Sequence, residues 1–288
     1  MAITIEPAGG LGNQLFIWAA GWSLAHAKGV SLEADTVHYP STAPRAWELD
    51  SFDSGISATK ASRRKVSHYR DRLAGLPGAS RWLVTDRCSP LLLRVSHISP
   101  RARLRGYFQI TRYFEEHAEE IRRRVRIISH PSKWFLEMSA RLGEMGPFIG
   151  IHIRRGDYVH LPQHGVLPHH YYLKALEEVW RHAPPNAPVI VATEERVELP
   201  WVSGLARGRR IEVLRPPPSS RPIESLTLLS MARYLVVANS TWSWWAGFLG
   251  EASLVCYPDP WFRHGALAWP SPPPGMWIPI QSGLSGTE

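Results

Sequence analysis

The segment at residues 148–158 constrains the fold of this chain more than any other. It opens with an apolar, β-branched run and ends in Arg154, Arg155, a glycine and Asp157. Such a run predicts a buried strand of a parallel sheet. The arginines then lie at the carboxyl end of the strand, where open α/β sheets bind their ligands.

These two guanidinium groups need anionic partners, because an unpaired buried charge is costly. A planar guanidinium can hold a carboxylate or a phosphate through two parallel hydrogen bonds. We expect Asp157 to hold one of the two arginines in place and to leave the other for a ligand. The alternative is an internal ion pair at a strand end, without any ligand.

Strands and helices alternate along most of the chain, which predicts a parallel α/β fold. A first strand at 3–6, a glycine-rich loop, a helix at 14–28 and a strand at 30–34 form a βαβ opening. Residues 40–100 show no clear period. Further expected elements are a strand at 105–110, helices at 115–128 and 132–145, strands at 148–154, 189–192, 211–214, 235–238 and 254–257, helices at 168–182 and 223–232, and a helix from about residue 240.

Gly146 and Pro147 mark a boundary between two domains. We expect an N-terminal α/β domain at 1–146 and a C-terminal α/β domain at 147–288. The tail from Trp261 is rich in proline and glycine and is expected to be irregular.

The composition narrows the function classes. A chain of 288 residues with net charge +8 favours anionic partners. Its arginines are scattered and no nucleic-acid motif is present, so nucleic-acid binding is not expected.

Cys256 lies in an apolar run, which predicts a buried free thiol and a reducing compartment. No signal peptide or membrane span is expected, which indicates a cytoplasmic protein; the basic surface leaves peripheral contact with the inner membrane face open.

The loop after the first strand is rich in glycine. Gly10, Gly12, Asn13 and Gln14 resemble the start of a dinucleotide-binding fingerprint, but Leu15 replaces its third glycine. The glycines allow close approach of a ligand to the backbone, and the two amide side chains offer donors and acceptors. A tight turn that binds nothing is the alternative.

A second candidate loop follows the predicted strand at 235–238. Asn239, Ser240, Thr241 and Ser243 precede or begin a helix. The N–H groups of a helix start, with hydroxyl groups beside them, suit a phosphate group. Ordinary capping together with core tryptophans is the alternative.

Two acidic residues are candidates for binding a nucleobase. Glu194 follows the predicted strand at 189–192, and Glu224 begins a later helix. A carboxylate can accept both N1–H and N2–H of guanine. Either residue can instead simply complement a helix dipole. The ends of parallel strands meet at one edge, so Arg154, Thr193 and Asn239 are expected to converge there.

Several chemistries lack their sequence motifs. The chain has no Asp-x-Asp, no His-Glu-x-x-His, no Walker loop and no Gly-x-Ser-x-Gly elbow. Arginines can neutralise a phosphate without magnesium. We therefore expect no metal and no cofactor.

Four motifs in this order resemble the α-1,2-fucosyltransferases of glycosyltransferase family 11. They lie at residues 9–16, 106–109, 152–158 (His-Ile-Arg-Arg-Gly-Asp-Tyr) and 239–245 (Asn-Ser-Thr-Trp-Ser-Trp-Trp). The resemblance implies a GT-B-like fold, with two Rossmann-type domains whose parallel sheets face a central cleft. It places the acceptor on the N-terminal domain and the nucleotide sugar on the C-terminal one.

The resemblance also implies an activity. The donor is GDP-L-fucose, the anomeric carbon is inverted, no metal is required, and the acceptor is the O2 hydroxyl of a terminal β-galactose on an oligosaccharide. A lipid-linked acceptor stays open. Two further alternatives are transfer from another nucleotide sugar and a non-catalytic relative that binds GDP or a glycan.

The roles implied by the resemblance concentrate in the third and fourth motifs. Arg154 holds the diphosphate, Arg155 and Asp157 shape the site, and His152 matches the motif histidine. The implied catalytic residues are Arg154, Asp157 and His152, and no general base is assigned among them.

The implied donor-binding set combines residues from both halves of the chain: Gly10, Gly12, Asn13, Gln14, Arg154, Arg155, Glu194, Glu224, Asn239, Ser240, Thr241 and Ser243. Three places depart from the family pattern. Glu194 and Glu195 stand where relatives carry a pair of aspartates, Trp242 replaces a common phenylalanine, and Ile17-Trp18 replaces a common Gln-Tyr.

Overall fold

The computed structural model describes residues 1–36, 39, 45–60, 82–86, 95–161, 164–193, 201, 204, 208–263 and 277–284. The chain divides into two compact units, Met1–Ser129 (unit 1) and His130–Glu288 (unit 2). Each unit is built on its own parallel sheet, which confirms the predicted pair of α/β domains.

Unit 1 contains a five-stranded sheet in the order β3-β2-β1-β5-β4 within the described residues. Its strands are β1 (Ala2–Ile5), β2 (Ser31–Asp35), β3 (Ile56–Lys60), β4 (Leu83–Thr85) and β5 (Arg103–Arg105). Its helices are α1 (Leu11–Lys28) and α2 (Ala118–Arg126), with short 3₁₀ turns at Val95–His97, Thr111–Tyr113 and Glu115–His117.

The helix α1 is the central packing element of unit 1. It is buried along almost its whole length, and Trp18 is fully buried while its indole N–H donates to the carbonyl of Ser54 at 2.8 Å. The helix ends at Gly29, whose left-handed backbone (φ 62°) donates to the last carbonyls. The expected helix and its stop are confirmed.

The strand expected at 105–110 lies elsewhere. The strand β5 is Arg103–Arg105 and ends at Gly106, where φ is +133° and the chain turns away. A Cβ at Gly106 would lie 2.4 Å from the Asp86 carboxyl carbon, so only glycine fits this turn. Phe108 follows with a φ of 52° and is fully buried.

Unit 2 contains a six-stranded sheet in the order β11-β10-β9-β6-β7-β8 within the described residues. Its strands are β6 (Ile149–Ile153), β7 (Val189–Thr193), β8 (Ile211–Val213), β9 (Tyr234–Val236), β10 (Leu254–Asp259) and β11 (Trp277–Gln281). Its helices are α3 (Lys133–Met145), α4 (His169–Trp180), α5 (Pro222–Ser230) and α6 (Thr241–Leu249).

The strand β6 lies in the middle of this sheet and is buried on both of its faces. Ile149, Ile151 and Ile153 are fully buried and pack with α4 residues such as Tyr171 and Leu176. Gly150 allows α5 to approach the other face, since a Cβ there would lie 2.9 Å from Cδ1 of Leu229 on that helix and 2.8 Å from the Cβ of Ala232 just after it. The fully apolar strand pattern is that of a doubly covered parallel sheet.

The helix α3 belongs with unit 2. The division by contacts lies between Ser129 and His130, whereas the sequence analysis puts the boundary after residue 146. Ser132, at the N-cap of α3, is hydrogen-bonded to Glu224 of α5, and Arg141 of α3 pairs with Glu212 of β8 at 2.7 Å. These long-range contacts leave no local pattern in the sequence.

The C-terminal tail is not wholly irregular. The strand β11 pairs in parallel with β10 over five residues, from Val255 with Trp277 to Asp259 with Gln281. Cys256 on β10 is a buried free cysteine, as predicted, and burial raises the pKa of its thiol to about 12. Within the described residues, no helix is both long and apolar enough to cross a bilayer.

An ion cluster occupies the carboxyl end of the sheet in unit 1. Glu6 is 5% exposed and accepts from Arg103 and from Arg105, each at 2.7 Å, while Arg103 also pairs with Asp35 at 2.8 Å. Burial raises the pKa of Glu6, but the hydrogen bonds and charges of the two arginines outweigh it and lower the pKa overall.

The substitution Glu6→Gln is expected to destabilise the protein in a pH-dependent way. The lowered pKa makes the carboxylate stabilising above the pKa of the unfolded chain, and this contribution is lost as pH falls. We expect a loss of roughly 1–3 kcal/mol at pH 7 that shrinks towards pH 3, measured by urea unfolding. Glu137→Gln, which removes an exposed ion pair with Lys133, is the control. A loss for Glu6→Gln that is the same at both pH values would contradict this account.

Candidate active site

The candidate site of unit 2 lies where the strand order reverses. The chain runs from β6 outwards to β7 and β8 and then crosses back to β9 on the other side of β6. Both neighbours pair with β6 in parallel, so the three carboxyl ends share one edge. Such a reversal point is where doubly wound sheets bind ligands. The parallel pairing of β6 with β7 and β9 confirms that Arg154, Thr193 and Asn239 lie at the same edge of the sheet.

Arg154 follows β6 directly and is only 8% exposed. Its Nη2 donates to Asp157 Oδ1 at 2.6 Å, and its guanidinium carbon lies 4.9 Å from the centre of the Tyr158 ring. Asp157 and Tyr158 are both in the 3₁₀ turn Gly156–His160. Asp157 therefore pairs with Arg154, the same arginine that the family resemblance assigns to the diphosphate. Arg155, at the start of this turn, is partly exposed.

His152 is on β6 and is 3% exposed. Its ring lies 4.8 Å from the ring of Trp242, and its Nδ1 has no hydrogen-bond partner among the described residues. Burial, followed by the charge of Arg154, lowers the pKa of His152 to about 3. The imidazole is therefore neutral at physiological pH and offers a hydrogen bond rather than a charge.

The helix α6 begins at this edge with an uncapped N-terminus. Ser240 occupies the N-cap position but makes no side-chain capping bond. Ser243 is fully buried and donates to the carbonyls of Ala238 at 3.1 Å and Ser240 at 3.2 Å, which closes the turn. Thr241, the first helical residue, is partly exposed. The positive end of the helix can therefore receive an anion.

Asn239 ties this edge together. Its Nδ2 donates to the carbonyls of His164 at 2.9 Å and Gly165 at 3.0 Å, and its own carbonyl accepts from the Tyr158 hydroxyl at 3.1 Å. The side chain is fully buried, and Oδ1 has no partner among the described residues. Asn239 therefore joins the loop after β9 to the segment that follows β6.

Two aromatic members of the site, His164 and Phe262, were not predicted. The ring of His164 stacks on Tyr158 at 4.8 Å, and Phe262 contacts His164 edge-on at 5.3 Å. Neither His164 nor Phe262 belongs to a recognisable motif. His164 joins the site by packing on Tyr158, and Phe262 by packing on His164, so no spacing in the sequence could have shown them.

The two predicted acidic residues have different outcomes. Glu194 lies outside the described residues, as does Glu195. Glu224 is 2% exposed, and its carboxylate accepts from the Ser132 backbone N–H at 2.6 Å and from the Ser132 hydroxyl at 2.9 Å. In this structure the carboxylate holds the start of α3, and its role in binding a nucleobase stays a prediction.

The predicted loop residues Gly10, Gly12, Asn13 and Gln14 all lie in unit 1. Gly10 is the N-cap of α1, and a Cβ there would meet no atom within 4 Å. Gly12 is buried in the first turn, and Asn13 Oδ1 accepts from Gln109 Nε2 at 3.0 Å, which joins two of the motifs. Their use in binding a donor stays a prediction.

Gln14 is fully buried and acts inside unit 1. Its Nε2 donates to the carbonyls of Gly9 at 3.1 Å and Ala46 at 2.8 Å, and its Oε1 accepts from the Glu48 N–H at 3.0 Å. These bonds fasten the glycine-rich loop to the segment near residue 46. The amide is thus committed to the backbone of the protein.

A model of glycosyl transferase family 11 matches residues 101–256, more than half of the chain. The chain belongs to glycosyltransferase family 11. This confirms the resemblance seen in the four motifs. Within the described residues, no group of three or more His, Cys, Asp or Glu side chains is arranged to hold a metal ion.

Individual relatives of this family 11 protein match it at low identity. An α-1,2-colitosyltransferase of Escherichia coli is 25% identical, with 95% of this chain and 97% of the relative covered. The galactoside α-(1,2)-fucosyltransferase 1 of Oryctolagus cuniculus is 28% identical over 152 residues, which are 50% of this chain and 40% of that protein.

The fold matches that of a solved fucosyltransferase. The crystal structure of the α-1,6-fucosyltransferase NodZ soaked with GDP-fucose has a TM-score of 0.55 and 16% identity, covering 90% of this chain and 94% of that one. NodZ comes from Bradyrhizobium. This likeness confirms the GT-B-like fold class of the family 11 protein.

The contact between Glu224 and Ser132 is expected to stabilise unit 2. Glu224→Gln and Ser132→Ala should each lower the free energy of unfolding, because both weaken the contact at the start of α3. The first removes the charge of the acceptor, and the second removes the hydroxyl that donates to Glu224 while the Ser132 backbone N–H stays. In the double variant the losses should fall short of their sum by about 1–2 kcal/mol, measured by thermal or urea unfolding. Fully additive losses would show that the two residues act independently.

Proposed function

We propose that this protein transfers L-fucose from GDP-L-fucose to the O2 hydroxyl of a terminal β-galactose, with inversion at the anomeric carbon. The observation that carries this proposal is the placement of Arg154 beside the N-terminus of α6, at the strand-reversal point of a family 11 protein. The two are joined through Tyr158, which contacts both Arg154 and Asn239.

The diphosphate of the donor would lie at this edge. Arg154 is almost buried, and its strength as a hydrogen-bond donor is increased because little water competes with it. A guanidinium presents N–H donors along more than one edge, so pairing with Asp157 orients it without using the whole group. The start of α6, with Ser240 and Thr241, supplies backbone N–H groups for a second phosphate oxygen. Glu194 and Glu224 remain the proposed contacts to guanine.

The reaction needs charge stabilisation more than covalent chemistry. As the bond from the anomeric carbon to the β-phosphate oxygen breaks, its electron pair stays on GDP, and negative charge grows beside Arg154. A guanidinium aimed at that charge lowers the barrier because it binds the transition state better than the ground state. The acceptor hydroxyl attacks the opposite face of the sugar, and this attack inverts the anomeric carbon. The hydroxyl loses its proton as the new bond forms.

The galactose acceptor is supported by the relatives' names rather than by a described pocket. One half of this chain resembles a galactoside α-(1,2)-fucosyltransferase, and nearly all of it resembles an α-1,2-colitosyltransferase. Both names give an α-1,2 linkage. A lipid-linked form of the acceptor and a peripheral membrane contact stay predictions.

A different donor sugar is the second candidate. The relative that this chain matches over 97% of the relative's length is named as a colitosyltransferase. Colitose is L-fucose without its 3-hydroxyl group. Transfer from GDP-colitose and from GDP-fucose, compared at equal concentrations, distinguishes the two. A preference of more than tenfold for either one identifies the donor.

Arg154→Ala is expected to abolish donor binding. GDP, but not ADP or UDP, should raise the melting temperature of the wild-type protein, because a ligand that binds only the folded state stabilises it. In the variant this rise should disappear, and kcat/KM for transfer to lactose should fall by about 10²-fold or more. Arg181→Ala, an exposed arginine of the same unit, is the control. Wild-type binding of GDP without any transfer would favour a non-catalytic relative.

Transfer is also expected to proceed without a divalent metal. In this proposal the charge of Arg154 and the dipole of α6 neutralise the diphosphate, so a metal ion is not needed there. Activity should therefore be unchanged, within twofold, when EDTA is added in excess. Loss of activity with EDTA and recovery with Mg²⁺ or Mn²⁺ would overturn this part of the proposal.

A further inference from the structure

The proposed reaction leaves one proton without a recipient, and the described residues offer few candidates. Asp157 is paired with Arg154 at 2.6 Å, so its carboxylate is already engaged in orienting that guanidinium. Glu224 is buried and bound to Ser132. His152 is buried, and its pKa of about 3 makes its nitrogen a weak base. The two carboxylates therefore hold other groups in place, and His152 is too weak a base for a reaction near pH 7.

His164 has a different environment at the same edge of the sheet. The residue as a whole is only partly buried, while its Nδ1 is buried and has no hydrogen-bond partner among the described residues. Its ring stacks on Tyr158, whose own ring contacts the guanidinium of Arg154. The packing of the fold therefore holds the imidazole near Arg154 without using its ring nitrogen.

The backbone of His164 is fixed on two sides. Asn239 donates to its carbonyl and to that of Gly165, as described above. Gly165 has a φ of +72°, and a Cβ there would lie 2.8 Å from Leu284, so only glycine fits between the loop and the C-terminal segment. A base must be held in place to act on a bound hydroxyl, and these contacts supply that rigidity.

Burial and two neighbouring charges set the pKa of His164. Burial lowers its pKa, the carboxylate of Asp157 raises it and the guanidinium of Arg154 lowers it, with a lowered pKa as the result. The exposed Arg263 lies against the neighbouring Gly165, with its Nε 3.6 Å from the position of a Cβ on that glycine. The imidazole is thus neutral at pH 7, while Asp157 stays close enough to stabilise the imidazolium once it forms.

We propose that His164 is the general base of the reaction, which rests on the proposed function. The proton of the acceptor hydroxyl moves to an imidazole nitrogen as the hydroxyl oxygen forms its bond to the anomeric carbon. The bond between that carbon and the β-phosphate oxygen breaks, and its electron pair leaves with GDP. The imidazolium then releases the proton to water.

The test compares His164→Gln with His160→Gln, the same substitution at an exposed histidine of the neighbouring 3₁₀ turn. Glutamine keeps a polar side chain of similar size but does not take up a proton near pH 7. Transfer from GDP-fucose to lactose is measured from pH 5 to 9, together with the rise in melting temperature caused by GDP. His164→Ala is assayed with and without added imidazole.

We expect kcat of His164→Gln to fall about 100-fold or more, with the GDP-induced rise in melting temperature retained. The wild-type kcat should decrease at acidic pH as the base becomes protonated, and this decrease should vanish in the variant. Imidazole should restore transfer in His164→Ala. His160→Gln should behave as the wild type.

The failures of the two proposals are distinguishable. A wild-type protein that transfers nothing from GDP-fucose overturns the proposed function. A wild-type protein that transfers, together with a His164→Gln variant of wild-type kcat and an unchanged acidic limb, overturns the role of His164 alone. Loss of kcat without rescue by imidazole and with an unchanged pH profile shows a packing role and also overturns it.

Discussion

The parallel pairing of β6 with β9 on one side and β7 on the other is the constraint on which the site depends. Because all three strands end at the same edge, the residues that follow them are forced together whatever their distance along the chain. Arg154 is thereby placed next to the start of α6, and Asn239 next to the loop of His164. The apolar core beneath β6 supports this edge, and the contacts of Asp157, Tyr158 and Asn239 hold the polar groups above it.

The strand and helix order of the described residues could be predicted because each element carries a strong local pattern. The run before Arg154 is a buried strand, and the glycine after α1 ends that helix as expected. What escaped prediction depends on distant partners. The helix α3 joins unit 2 through Glu224, the tail adds β11 to the sheet, and His164 reaches the site only by packing on Tyr158. None of these contacts has a periodic signature.

Burial and not residue type separates the two histidines of the site. His152 and His164 both feel the positive charge of Arg154, but only His164 also feels the carboxylate of Asp157 and retains contact with solvent. His152 is therefore a neutral polar side chain packed against Trp242. In the proposed mechanism, His164 changes its protonation state during the reaction cycle. A motif that names a histidine does not reveal which of these two environments it occupies.

The hydrogen bonds between Ser132 and Glu224 have a consequence for protein engineering. They anchor α3 to α5. A recombinant junction between α3 and β6 would therefore take Ser132 and Glu224 from different parents, and the buried carboxylate of Glu224 would lose the hydrogen-bond donors selected with it. Hybrids assembled from two members of the family should therefore be joined before residue 130, where the units divide. A junction after residue 146 would place Glu224 of one parent against the α3 N-cap residue of the other parent.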